Sequence, residues 1–244
     1  MTGTIGRIYP MNTEQARRLT AIAGVLVIIS IFAGGFSEVY VPGKLLVASD
    51  PTATARNVAD SPQLFRLSFL AYLIEAVSDV TLTWIFYVLL RPVNAYLSLL
   101  AAFFGIVSTT TFATSELFYF MASVPVLDEA VQTHLTVGQG TLFIYSALTL
   151  YGYGGTVFMV FYGIATTLRG YLFYRSGYFP RWLGALLLIA GTCFIVKNVV
   201  AVVLPQYDSD LLLAPMFGTM IALAAWLLLK GVISGRWPTT PNSA

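Results

Sequence analysis

Hydrophobic residues are concentrated in long blocks along this chain, with short polar segments between them. Six blocks are long enough to cross a bilayer, since a transmembrane helix needs about 20 mostly apolar residues. None shows the alternation of apolar and polar positions that an outer-membrane barrel strand requires. The pattern predicts an all-α, polytopic membrane protein, a bundle of six transmembrane helices that forms a single integral membrane domain over residues 1–244. The predicted spans are 19–39, 67–90, 96–122, 142–168, 182–204 and 211–233.

Composition agrees with this prediction and excludes other classes of protein. Of the 244 residues, 57% are hydrophobic and 10% are charged, whereas soluble domains carry about 25% charged residues. A net charge of +2 leaves no basic surface for nucleic acid, so the expected surroundings are the lipid bilayer. The single cysteine, Cys193, and the single histidine, His134, exclude an internal disulfide and a Cys- or His-rich metal site. We expect no metal and no cofactor.

Basic residues predict the orientation of the spans. With both termini cytoplasmic, nine Lys and Arg residues fall on the inner side and three on the outer side, as the positive-inside rule requires. A competing interpretation treats the first span as a cleaved signal peptide, because Arg17 and Arg18 precede an apolar run that ends in small residues. That run is longer than a usual signal sequence, and its removal would leave the termini on opposite sides. We therefore favour a retained first helix.

The outer loops contain two segments that predict short interfacial helices. Asp50 is a suitable N-cap and Pro51 a suitable first helical residue, which predicts a helix over 52–59. Pro125 begins a second such segment, over 126–138. Either segment could lie at the membrane surface as a lid, or it could serve only as a connector.

Four ionisable residues fall inside the predicted spans: Glu75, Asp79, Glu116 and Lys197. A charge at the bilayer centre costs about 2.5–3.5 kcal/mol even on the most lenient scale, so such groups face the bundle interior, a partner or water. At a rise of about 1.5 Å per residue, all four lie between the outer surface and the membrane centre. They are therefore expected to share one region of the bundle.

Helical spacing indicates that this region is a polar pocket that opens outward. Glu75 and Asp79 are four residues apart and stack on one face of the second span. Other polar residues extend that face into a stripe, and the first and third spans contribute shorter polar faces. The candidate ligand-binding or proton-binding residues are Glu38, Tyr72, Glu75, Asp79, Glu116, Tyr119 and Lys197.

The charges of this region suggest proton chemistry. Glu75, Asp79 and Glu116 outnumber Lys197, and a low-dielectric pocket disfavours the fully ionised state. At least one carboxyl group is therefore expected to hold a proton and to serve as a general acid or a proton-coupling group. Lys197 is expected to pair with one of the acids. Such a pair can also be purely structural, but the excess acids then lack a partner.

Several segments resemble an uncharacterised family of bacterial membrane proteins catalogued as domain of unknown function 4386. They are Leu-Phe-Arg at 64–66, Tyr-Val-Leu-Leu-Arg-Pro-Val-Asn at 87–94, Ala-Ala-Phe-Phe at 101–104, Gly-Tyr-Leu-Phe-Tyr-Arg-Ser-Gly-Tyr at 170–178 and Pro-Arg-Trp-Leu-Gly at 180–184. The resemblance runs in order over nearly the whole chain. It implies a prokaryotic inner-membrane protein with about six spans, and it implies no activity and no catalytic residues.

Three functions from different classes remain open. A proton-coupled carrier would use Glu75 or Asp79 as the titrating group and Lys197 as a counter-ion. A membrane-embedded enzyme would use a protonated carboxyl as general acid on a lipid or isoprenoid, assisted by Tyr72 or Tyr119. An interaction or assembly protein would use the cluster only to hold its helices together. The sequence favours a small or amphiphilic ligand. It does not determine the identity of that ligand or the oligomeric state.

Overall fold

The computed structural model describes residues 11–47, 50–233 and 235–238, and within these ranges the chain is helical with no strand. A π-helical segment, Gly35–Tyr40, joins the first two helices, and 3₁₀ segments at Pro205–Tyr207 and Asp210–Leu213 precede the last one. The α-helices are α1 Thr13–Gly34, α2 Val41–Leu45, α3 Pro51–Asp60, α4 Pro62–Leu90, α5 Ala95–Met121, α6 Val124–Leu127, α7 Glu129–Gln132, α8 Val137–Arg175, α9 Arg181–Val203 and α10 Ala214–Leu229.

Six helical stretches are long and apolar enough to cross a membrane: Thr13–Leu45, Pro62–Leu90, Ala95–Leu127, Val137–Arg175, Arg181–Val203 and Asp210–Leu229. Each predicted span overlaps one of them. The prediction of an all-α, multi-pass membrane protein is therefore confirmed. Several helices continue past the hydrophobic blocks, because polar residues at their ends keep the helical backbone hydrogen bonds. The longest, α8, has 39 residues and a length of about 58 Å.

The six stretches form a closed ring. Helix α1 packs against α4 and α10, α5 packs against α4 and α8, and α9 packs against α8 and α10. At one end of the ring, Trp237 donates an indole N–H bond of 2.8 Å to the carbonyl of Met11, so both ends of the described chain meet there. We call this end the terminal face, and the opposite end, with α3, α6 and α7, the loop face. The ring encloses an interior to which all six stretches contribute side chains.

Helices α8 and α9 form the closest crossing in the bundle. A Cβ atom on Gly184 would lie 2.4 Å from the backbone nitrogen of Tyr174, and one on Gly170 would lie 2.6 Å from that of Leu188. Small residues let helix backbones approach this closely in membranes, where packing replaces the hydrophobic effect as the driving force. This crossing fixes the position of α8, which carries much of the interior polar surface.

Polar caps determine where helices begin on the loop face. Asp50 accepts a hydrogen bond from the Ala53 amide and starts α3, as the sequence predicts for that segment. The second predicted loop helix, over 126–138, is wrong as one unit. The backbone is extended at Asp128, which ends α6 and caps α7, and Thr136 then caps α8. A side chain that satisfies free amides favours a new helix start over continuation.

Candidate functional site

The polar stripe of α4 faces the interior of the ring. Ser68, Tyr72 and Thr83 are buried, while Glu75 and Asp79 are half-buried. Apolar residues on the opposite side of the helix, such as Val77, are exposed, as expected for a lipid-facing surface. The predicted stripe is therefore continuous on one face of this helix.

Three tyrosines and a serine form a hydrogen-bond network next to the stripe. The Tyr72 hydroxyl donates to the Ser37 carbonyl at 2.8 Å and lies 2.9 Å from the Tyr151 hydroxyl. The Tyr119 hydroxyl donates to Ser68 Oγ, which in turn donates to the same Ser37 carbonyl, each bond measuring 3.4 Å. Because a carbonyl only accepts, the Tyr72 hydroxyl uses its single hydrogen in the bond to Ser37. The Tyr151 hydroxyl must therefore donate the bond between the two tyrosines. The protons of all three tyrosines are thus committed within the network.

The π-helical segment makes the Ser37 carbonyl available to this network. The amide of Val41, which would bond to Ser37 in a regular α-helix, donates instead to Phe36. The next residue, Pro42, has no N–H group. The Ser37 carbonyl therefore lacks a backbone donor, and the side chains of α4 satisfy it. Such π-helical insertions are frequent at functional sites.

Glu116 lies beside this network without joining it. Its side chain is on α5, three residues from Tyr119 and four from Phe112, which places all three on one face. The residue is 2% exposed, and within the described part of the chain neither carboxyl oxygen has a hydrogen-bond partner. A buried carboxyl group in these surroundings is expensive to keep ionised.

Glu75 and Glu38 extend the acidic region to α1. A Cβ on Gly34 would lie 2.9 Å from Oε1 of Glu75, so the glycine lets this carboxyl group rest against the α1 backbone. The other oxygen, Oε2, is buried, and no described residue provides it with a hydrogen bond. Glu38 is exposed and lies four residues after Gly34 on the stretch that Glu75 contacts. We call Glu38, Glu75 and Glu116, which lie on the first stretch, α4 and α5, the acidic cluster.

A buried arginine lies deeper in the ring, near Asp79. Arg169 on α8 donates a 2.9 Å hydrogen bond to Thr83 and lies 5.6 Å above the ring of Phe86. A Cβ on Gly105 would lie 2.5 Å from the guanidinium, so this glycine makes room for the side chain to cross α5. Arg169 and Asp79 are more than the 4.0 Å of a salt bridge apart.

Asp79 and Arg169 line a small central cavity of about 30 Å³. This volume holds one or two water molecules, since one water needs about 10–15 Å³ measured in this way. Its walls come from all six membrane-crossing stretches, with Val27 on α1, Thr109 on α5, Leu187 on α9 and Met220 near the middle of α10 among them. Two ionisable side chains therefore border a cavity to which every membrane-crossing stretch contributes a residue.

Lys197 lies outside this region, and the prediction that it pairs with an intramembrane acid is wrong. Its ammonium group is 3.3 Å from Asp208 and 3.6 Å from Asp210, both at the loop face. These acids follow the end of α9, where the 3₁₀ segments turn the chain back over the helix. The sequence position of Lys197 predicts its depth in the membrane. It does not predict that the segment after α9 folds back over the helix end and brings Asp208 and Asp210 to the ammonium group.

Arg169 is the interior cation that the sequence analysis missed. Hydropathy ends the fourth span at residue 168 and assigns Arg169 to the cytoplasmic side, but α8 continues to Arg175. Thr166, Arg169 and Phe173 recur at intervals of three and four residues, the spacing of one helix face. All three line the central cavity, so this periodicity was the available signal.

The described acids are spaced for protons or an organic cation more than for a metal. No three of the described His, Cys, Asp and Glu side chains are grouped closely enough to hold one metal ion. Single carboxyl groups in apolar surroundings exchange a proton without needing further ligands. The described acids thus lie at two levels, the acidic cluster and the central cavity.

Comparison with known proteins gives two matches. A family model described as domain of unknown function (DUF4386) matches residues 22–231. A protein of Archaeoglobus fulgidus, named only as an uncharacterized protein, is 33% identical over 165 residues, which is 68% of this chain and 84% of that protein. No solved structure matches. The family match includes every interior acid described above and Arg169.

Proposed function

We propose that this chain is a carrier that couples proton movement to the movement of a small solute across the membrane. The chain belongs to the family described as domain of unknown function (DUF4386). The acidic cluster binds the protons, and the pair of Asp79 and Arg169 transmits their effect to the helices. Glu75, Tyr72 and Tyr119 support this site, while Lys197 holds the loop face in place.

The environment of Glu116 carries this proposal. An unpaired carboxylate enclosed away from water is costly, whereas a protonated carboxyl group is tolerated. Glu116 is enclosed here, and the neighbouring tyrosine protons are all committed elsewhere. It is therefore neutral while the site is closed and ionises when water reaches it. A group of this kind links proton binding to opening and closing of the protein.

Asp79 and Arg169 provide the second step. Ionised Asp79 attracts the guanidinium across the central cavity, and protonated Asp79 does not. Among the described residues, Arg169 then keeps its hydrogen bond to Thr83 and its contact with the ring of Phe86. Protonation thus changes the forces at the point where the six stretches meet. This role replaces the one that the sequence assigned to Lys197.

The orientation follows from basic residues at the two faces. Of the basic residues that the structure describes at the two faces, seven lie at the terminal face and four, Lys44, Arg56, Arg66 and Lys197, lie at the loop face. By the positive-inside rule the terminal face is cytoplasmic, so the acidic cluster lies in the outer half of a prokaryotic cell membrane. Residues 1–244 act as one integral membrane domain. The seven are Arg17, Arg18, Arg91, Arg175, Arg181, Lys230 and Arg236.

The solute binds in a conformation more open than the one described here. The central cavity has room for about two waters, and Tyr72 and Tyr119 have no exposed surface. The π-helical segment, which carries the exposed Glu38, forms the side of the cluster that opens. A closed state with enclosed acids and an open state with hydrated acids are the two states that a carrier needs.

Proteoliposomes that contain a pH-sensitive dye test this function. A panel of small organic cations, anions and zwitterions is added outside, and proton movement is recorded after each addition. We expect at least one solute to move protons in the wild type and in Lys197→Met, and not in Asp79→Asn or Glu116→Gln. Solute-dependent proton movement that persists in both acid variants would contradict the proposal. It would favour a structural role for the cluster.

A further inference from the structure

We infer that Glu116 and the rings of Tyr72, Tyr119 and Tyr151 form the solute site, and that it accepts an alkylated ammonium cation in exchange for the proton of Glu116. This inference rests on the proposed carrier function and adds the class of solute. It is carried by the charge balance of the interior, by the unpartnered carboxyl group and by the aromatic side chains around it.

The charge balance selects a cation. Two acids of the interior, Glu75 and Glu116, have buried carboxyl oxygens without a hydrogen-bond partner among the described residues, and the third, Asp79, lines the central cavity together with Arg169. An anionic solute would add to this excess of negative charge. A cation neutralises it in the same way as a proton does, so the two compete for the same carboxyl group. A carrier that holds one or the other, and not both, exchanges them across the membrane.

The two unpartnered carboxyl oxygens of Glu116 favour an organic cation over a metal ion. Both carboxyl oxygens of Glu116 are buried and unpartnered within the described chain, so they can face a positive group. A metal ion needs several oxygen ligands at short distance, and no three described acids are grouped for that purpose. An organic cation spreads its charge over a larger surface and needs only one carboxylate.

The aromatic side chains select an alkylated ammonium group. The ring centroids of Tyr72 and Tyr151 each lie 5.4 Å from that of Tyr119, and Phe112 packs 5.8 Å from Tyr72. Aromatic faces attract quaternary and other alkylated ammonium groups through cation–π interactions without hydrogen bonds. This suits a site in which the tyrosine hydroxyls already bond to one another and to the backbone.

Movement of the π-helical segment opens this site. The Tyr72 bond to the Ser37 carbonyl ties the aromatic side chains to α1. When the segment moves away from α4, Tyr72 loses its bond to the Ser37 carbonyl. Glu38 and Glu75 then attract the cation as it enters the site. Glu116 then exchanges its proton for the ammonium group. Closure restores the Tyr72 bond around either occupant.

Calorimetry on the purified full-length protein in detergent tests the inference. Choline is titrated in two buffers of different ionisation enthalpy, which gives both its affinity and the number of protons released. The carbon isostere 3,3-dimethylbutan-1-ol is the neutral control probe. Glu129→Gln, at an exposed residue of α7, is the matched control for Glu116→Gln.

We expect choline to bind the wild type and Glu129→Gln with release of about one proton per cation, and the neutral probe to bind at least about tenfold more weakly. Glu116→Gln should abolish the proton release and weaken choline at least about tenfold. Tyr119→Phe, which keeps the ring, should bind choline nearly as the wild type does, while Tyr119→Leu should not. If Glu116→Gln proves unstable, the comparison of Tyr119→Phe with Tyr119→Leu still tests the site, and equal choline binding by the two would contradict it.

Four results would overturn the inference: equal binding of the neutral probe, choline binding without proton release, unchanged proton release in Glu116→Gln, or absence of choline binding. An infrared spectrum of the same wild-type sample separates this failure from failure of the carrier proposal. A protonated-carboxyl band that depends on Glu116 leaves the proton function standing and rejects only the solute class, whereas its absence rejects both.

Discussion

At the residue scale, the carbonyl of Ser37 connects the backbone of the first membrane-crossing stretch to the acidic cluster. It accepts hydrogen bonds from the hydroxyls of Tyr72 and Ser68, and the Ser68 hydroxyl accepts one from Tyr119. Because Pro42 lacks an N–H group, no backbone donor competes for it. The side chains that hold the cluster closed are therefore also those that leave Glu116 without a hydrogen bond.

Removal of the Tyr72 hydroxyl should weaken this closure. In Tyr72→Phe the Ser37 carbonyl loses its shorter donor and Tyr151 loses its acceptor, so we expect a loss of about 1–3 kcal/mol in the free energy of unfolding. Denaturant titration in detergent micelles measures it. Tyr153→Phe, at an exposed residue two positions after Tyr151, is the control and should be close to neutral. Equal stability of the two variants would show that the network does not hold the site closed.

Tyr178, at the terminal face outside the spans, should make stability depend on alkaline pH. It is buried and donates a 2.6 Å bond to the Leu89 carbonyl, and burial raises the pKa of its hydroxyl above the ordinary value. Above about pH 10, tyrosine in the unfolded chain loses its proton while Tyr178 in the folded chain keeps it. The unfolded state then binds fewer protons, so the free energy of unfolding falls as pH rises.

Tyr178→Phe should therefore reduce the steepness of this alkaline loss and lower stability by about 1 kcal/mol at neutral pH. Denaturant titrations between about pH 8 and 11 measure both effects. Tyr171→Phe, at a more exposed residue of α8, should keep the wild-type slope. An unchanged slope in Tyr178→Phe would refute the assignment.

Individual residues differ in how far the sequence predicts them. The α4 stripe follows from helical spacing alone, because residues three and four apart share a face in any helix. The partners of Lys197 could not be predicted in this way, since Asp208 and Asp210 come back over the helix end through irregular backbone. Glu38, Glu75 and Glu116 lie on three helices, and their approach depends on how those helices pack.

At the element scale, hydropathy predicts each membrane-crossing helix but not its local irregularities. The extended backbone at Asp128 divides a segment that composition alone presents as one helix. The π-helical segment Gly35–Tyr40 has the same hydrophobic pattern as the α-helix around it. Its effect, a free carbonyl at Ser37, arises from backbone register, which periodicity over a few residues does not reveal.

The α8–α9 crossing should depend on glycine at its contact points. A Cβ at Gly184 would meet backbone atoms of Tyr174 at 2.4 and 2.7 Å, and backbone atoms cannot move aside as a flexible side chain does. Gly184→Ala should therefore force the helices apart and lower the melting temperature strongly. Gly155→Ala on α8, where a Cβ would meet nothing within 4 Å, should be neutral or stabilise by up to about 1 kcal/mol.

Thermal unfolding in detergent compares the two glycine variants. A small effect of Gly184→Ala, similar to that of Gly155→Ala, would contradict the close crossing described here. The comparison also bears on function, because this crossing positions Arg169 on α8 next to Asp79.

At the scale of the whole molecule, the closed ring has acidic side chains at two levels. The acidic cluster lies toward the loop face, and Asp79 faces Arg169 in a cavity lined by all six stretches. The six-helix architecture could be predicted from the sequence, because membrane-crossing length and composition determine it. The order of packing around the ring could not, and that order decides which charges meet.

The central claim is that an interior carboxyl group holds a proton while the site is closed. An infrared titration of the purified protein across neutral pH tests it most directly, since a protonated carboxyl group has a carbonyl band that a carboxylate lacks. We predict that the wild type and Glu129→Gln show this band at neutral pH and that Glu116→Gln loses it. A wild-type spectrum without the band at neutral pH, or an equal band in Glu116→Gln, would contradict the account.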